Sequence, residues 1–178
     1  VDELEIWRNY SLFAILADVR NGRGFAGIRT GDGFNVIGGQ RGLPADASAH
    51  VKKESERWGQ DGHSHSWFTL KELLDFDWNQ VTKHTGVVDD ITYEQWKKKG
   101  GTPRTYSAGV AGPNIKIYTE EGYASLPSRA ISIDQYIQIS WDEKYGDSCD
   151  QFIKQILPKL KDMAKNPEDV RMAFWFDN

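Results

Sequence analysis

Two histidines, an acid and an indole stand close together in Asp61-Gly62-His63-Ser64-His65-Ser66-Trp67. At the two-residue period of a strand, His63, His65 and Trp67 share one face, Gly62, Ser64 and Ser66 the other, and Asp61 lies at the entry. Neutral imidazoles two apart can face one divalent ion, and a carboxylate or third histidine would complete an open catalytic shell. No resident metal is called for by the sequence; were one present, His63, His65 and Asp61 would hold it, with Asp77 and His84 the next candidates. Such a centre would generate a hydroxide for phosphoester or glycosidic hydrolysis. Without metal, His63 or His65 can serve as general acid or base near neutral pH, Asp61 orienting one ring. Two readings need no reaction: the same side chains touch a bound ligand, or they only bond at a sheet edge.

Familiar histidine signatures do not fit. Trp67 stands where a His-x-His-x-His motif would have its third histidine, and Trp67-Phe68 where a metallo-β-lactamase pattern would have Asp-His. Gly22, Gly24 and Gly27 spell G-x-G-x-x-G, but a helix is expected before them and a hairpin after, the reverse of a dinucleotide fingerprint. Arg23, Arg29 and Arg41 flank that glycine-rich region and suit an anion.

The elements that position these residues follow from pattern. Asn9 or Ser11 caps a helix running to Val19, stopped by Asn21-Gly22. Phe25–Thr30 and Phe34–Ile37 read as a hairpin about Gly31-Asp32-Gly33. Asp46 or Ser48 opens a polar helix ending at Trp58. The histidine strand hands over to a helix at Thr69, with Glu72 three residues on as its capping-box partner. Residues 79–88 read as a loop carrying His84, and Thr92 opens a helix ending at Lys97-Lys98-Lys99. Residues 101–113 form a long aperiodic loop bearing Arg104 and Tyr106, of the kind that often carries function. Asn114–Tyr118 and Ala130–Trp141 read as β, the latter with Ile131 and Ile133 and a bulge near Asp134. Cys149, Phe152, Ile153, Ile156, Leu157, Leu160 and Met163 share one helical face, interrupted by Pro158. Val170–Phe176 reads as a strand buried on both faces. Val1–Trp7 alternates weakly, as an edge strand would.

The sum is an α+β fold, one domain over residues 1–178, with a mostly antiparallel sheet and helices on one side. A single cysteine excludes an internal disulfide framework and suits a reducing cytoplasm. A net charge of −4 without a basic stripe argues against duplex nucleic acid. No apolar run approaches a membrane span. Seven Trp, seven Tyr and eight Phe supply core bulk or flat faces for a planar ligand. Oligomeric state and cofactor are not legible.

Arg8 through Gly22, the Arg41-Gly42-Leu43-Pro44 turn, Asp61 through Trp67 and the closing Phe174-Trp175-Phe176-Asp177-Asn178 together resemble a family of small tailed-phage and prophage proteins. Members of that family begin with a short Asp-Ile-His segment, so the resemblance implies a first strand upstream of Val1. It further implies an accessory, anti-defence protein in the host bacterial cytoplasm, where defence systems signal with cyclic or ADP-ribose-derived nucleotides. The expectation is a protein that sequesters such a nucleotide-like signal. Trp67, Tyr106, His84, Arg41 and Arg104 would contact it, beside His63 and His65. A hydrolase or phosphodiesterase using His63, His65 and Asp61 is the first alternative, and a module that blocks a host protein is the second.

Overall fold

The computed structural model describes residues 2–127 and 134–177. Within them the chain is α+β and divides into two compact units. Unit 1 gathers Val1–Asn21, Phe34–Asn79 and Gly146–Asn178; unit 2 gathers Gly22–Gly33 and Gln80–Tyr145. The strands are shared between two sheets, one in each unit.

Unit 1 opens with helix α1 (Tyr10–Ala17), whose N-cap Asn9 accepts from the Leu12 N–H at 3.0 Å. The helix stops at Asp18, which adopts a left-handed φ of 59°, short of the expected Asn21-Gly22 stop. Leu12, Ile15 and Leu16 are buried. Residues 2–9 form no strand, which corrects the edge-strand expectation for Val1–Trp7; Val1 itself lies outside the described residues. Helix α2 (Ala49–Trp58) is capped by Ser48 and buries no residue, as its polar sequence requires. Strand β1 (His63–Thr69) runs directly into helix α3 (Leu70–Asp75). The capping box is complete: Glu72 N–H donates to Thr69 Oγ1 at 3.1 Å, and Thr69 N–H donates back to Glu72 Oε2 at 2.8 Å.

Unit 2 carries the larger sheet, in the order β2-β4-β3. Strand β2 (Val81–Asp89) is followed by helix α4 (Asp90–Lys99), then β3 (Lys116–Thr119), helix α5 (Glu120–Ala124) and β4 (Gln135–Lys144). β2 pairs antiparallel with β4 and β3 parallel to it. Val88, Ile137, Ile139 and Trp141 pack with Tyr93 and Tyr123 as the core of this unit. The segment expected to be a loop, 79–88, is thus mostly strand. Its buried positions are Thr82, Gly86, Val87 and Val88, with His84 half-buried; one face is mostly polar or small and the apolar residues fall next to each other, which hides the alternation. Helix α4 is capped by Asp89, three residues before the expected start at Thr92. β4 continues to Lys144 without a register shift; Ala130, Ile131 and Ile133 lie outside the described residues.

The hairpin expected across Gly31–Gly33 is absent. Arg23 bridges Arg29, and Gly31 bridges His84 at the edge of β2. Only glycine fits there, since a Cβ on Gly31, at φ +145°, would lie 2.1 Å from the Lys83 carbonyl oxygen.

The chain returns to unit 1 through helix α6 (Tyr145–Ser148) and a π-helical turn at Phe152–Ile156 that leads into helix α7 (Leu157–Met163). Pro158 lacks an N–H and would clash with the carbonyl of Lys154 in a regular helix. The wider π turn stands where that clash would fall, so the helix is adjusted rather than broken. Strand β5 (Arg171–Phe176) is the last element, and among the described residues it pairs with β1 alone. It is therefore an edge strand. Met172 and Phe176 are buried while Ala173, Phe174 and Trp175 are half-buried, which corrects the reading of a strand covered on both faces.

Candidate functional site

The β1–β5 ladder decides which way each histidine faces. Trp67 lies opposite Ala173, Ser66 opposite Phe174 and Phe68 opposite Met172. Opposed residues share a face, so Trp67 stands with Arg171, Ala173 and Trp175, while Ser66 and Phe68 stand with Met172 on the buried side. The register then slips between His63 and Ser66. Ser64 takes a left-handed φ of 55° and is the extra residue of a bulge. His63 consequently lies opposite Phe176, its ring 6.1 Å from that phenyl. His65 stacks on Trp175 at 5.5 Å on the other face. His65 and Trp67 share a face as expected; His63 does not.

Each histidine has a neutral partner. His65 Nε2 is 2.9 Å from Ser55 Oγ of α2, and His63 Nδ1 is 2.9 Å from Ser64 Oγ. Asp61 is exposed and orients neither imidazole. Among the described residues no group of three or more His, Cys, Asp or Glu side chains is placed to hold a metal. Asp77 accepts from the Asn79 N–H instead. The three residues named for acid–base or metal chemistry therefore do not assemble into a centre.

Trp67 is held between two guanidiniums. Arg41 Cζ lies 4.9 Å from its ring centroid and Arg171 Cζ 5.5 Å, and Arg41 also covers Phe68 at 4.8 Å. Both arginines are already paired bidentately. Arg41 donates to Glu72 at 3.0 and 2.5 Å, and Arg171 to Asp46 at 2.7 and 2.8 Å. The Arg41 hydrogen bond holds the Glu72 carboxyl down at about 2. Trp67 and Arg41 are thus committed to one another and to Glu72, not presented to a phosphate.

In unit 2, two of the expected residues meet around a third that the sequence did not mark. His84 and Tyr106 both contact Trp141, at 5.5 and 4.8 Å between ring centroids. His84 Nε2 lies 3.1 Å from Glu143 Oε2, with both side chains nearly covered. Burial pushes the Glu143 carboxyl up, but the hydrogen bond and charge of His84 hold it below its ordinary value, helped by Trp141 and Thr102. The buried Trp141 indole N–H meets no acceptor at hydrogen-bond distance among the described residues. Burial, then the Glu143 charge, raises the Tyr106 phenol. Glu143 escaped notice because only the β2–β4 register brings it beside His84. Arg104 is exposed and has no ion pair among the described residues.

In unit 1 a cleft of about 1380 Å³ runs the length of β5, with the segment 2–6 among its walls. That volume exceeds the roughly 300–1,000 Å³ of small-molecule pockets. Trp58 and Trp175 face it, and seven carboxylates line it against only two guanidiniums.

Family models, curated proteins and solved structures provide no match to the chain.

No helix among the described residues is long and apolar enough to cross a membrane.

Proposed function

We propose that the chain is a binding module that blocks a target by taking up an extended segment of it in the unit 1 cleft, along the unpaired edge of β5. One observation carries this reading. Among the described residues β5 pairs with β1 only, and the large cleft follows its whole length. A strand edge offers a row of N–H and C=O groups ready to pair with another chain, and strand addition is a common mode of peptide recognition. Natural edges are usually blunted by lysine, proline or a bulge; residues 172–176 of β5 contain none of these. The resemblance to phage accessory proteins supports a host protein as the target and the host cytoplasm as the place.

A nucleotide-like signal is the second reading, favoured by the Trp58 and Trp175 rings in the cleft. Arg41 and Arg171, bound to Glu72 and Asp46, give it no help with phosphate.

Arrayed random octapeptides, probed with the labelled protein, test the first reading. Binders should appear, and N-methylation at alternate backbone positions of a binder should abolish binding while leaving its side chains in place. Binding that survives N-methylation in both alternate sets would rule out strand pairing. A parallel filtration of cyclic nucleotides and ADP-ribose derivatives against excess protein should pass them all; retention of one would favour the second reading.

A further inference from the structure

The charge around the β5 cleft specifies its occupant more closely, given the strand-accepting reading above. Of the carboxylates on its walls, Asp46 is paired with Arg171, Glu54 with Arg57, Glu3 with His50 and Asp177 with Arg8. Asp2, Asp61 and Asp169 have no ion pair among the described residues. No lining guanidinium is left over to balance them, because Arg57 and Arg171 are those already paired. The floor is different in kind: it is the edge of β5, with Trp175 on one side of the strand and Phe174 and Phe176 on the other. The cleft therefore joins an apolar, hydrogen-bonding floor to a negative rim.

We infer that the partner segment is a cationic β-strand: about six residues, the length of β5, with apolar side chains on the floor and lysine or arginine reaching the rim carboxylates. The length follows from β5, whose six residues span about 20 Å at strand rise. Alternation follows from the strand period, which sends successive side chains to opposite sides. A second copy of this chain is a poor occupant, since it would bring a second acidic rim against the first. A polyanion is disfavoured for the same reason.

The test uses two fluorescein-labelled octapeptides, one alternating lysine with valine and one alternating glutamate with valine, titrated into the intact protein by anisotropy. The lysine peptide should bind about tenfold or more tighter. Its affinity should fall as salt rises from about 0.1 M to about 1 M, where the Debye length shrinks from roughly 10 Å to 3 Å. The double variant Asp61→Asn, Asp169→Asn changes two exposed side chains and should fold normally. It should narrow the gap between the peptides without abolishing binding. Equal binding of both peptides would overturn the cationic preference while leaving strand addition standing. Failure of both to bind would overturn this inference and the strand-accepting reading together.

Discussion

Glu72 shows how much one side chain can organise. It closes the capping box of α3 and pairs with Arg41, which in turn lies over Trp67 and Phe68. Glu72→Gln keeps the box, since glutamine also serves at that position, and removes only the charge. For a pair this exposed the loss should be about 0.5–1 kcal/mol near neutral pH, read by urea unfolding. The pH dependence has a definite sign. The folded carboxyl titrates at about 2, below its unreacted 4.5, so its stabilisation is complete above 4.5 and disappears as pH falls toward 2. The difference between wild type and Glu72→Gln should vanish over that window. His84 and Glu143 form the more buried pair, and Glu143→Leu leaves the imidazole without its carboxylate. A loss of about 3 kcal/mol is expected in thermal or urea unfolding. A loss near zero would mean that water replaces the carboxylate freely.

At the scale of elements, the sequence announces those whose signals are local. The polar helix capped at Ser48, the Thr69 capping box and the apolar stripe through Phe152 and Leu160 were all legible, because caps and helical periodicity lie within a few residues. β2 was not, because the face that ends in Val88 carries Thr82, His84 and Gly86, polar or small residues that only β4 and the covering loops make sense of, while Val87 is buried on the other face. The bulge in β1 was invisible for a related reason. Nothing in His63-Ser64-His65 marks Ser64 for a left-handed conformation, and one extra residue turns His63 to the opposite face. The bulge predicts an asymmetry between two substitutions. Ser64→Gly should be neutral or stabilising by up to about 1 kcal/mol. Ser64→Val should cost about 1–2 kcal/mol, because a β-branched residue resists positive φ. Equal effects in a melting comparison would show that the bulge is not held in this form.

On the scale of the whole molecule, the chain's chemistry is distributed rather than gathered at one histidine motif. Asp61, His63, His65, Trp67 and Arg41 belong to unit 1, and His84, Arg104 and Tyr106 to unit 2. The α+β class could be read from the sequence, but the division of strands between two sheets could not, since it depends on pairings far apart along the chain. The same holds for the cleft: a continuous apolar run at the C-terminus looks like a central strand until its partners are known. On the proposed reading, β5 receives another strand. Amide hydrogen exchange, followed by mass spectrometry with and without the lysine–valine octapeptide, tests it directly. New protection is expected within Arg171–Phe176 on peptide binding, with unchanged exchange across the β2–β4 pairing of unit 2. Binding without added protection in β5, or protection confined to unit 2, would contradict it.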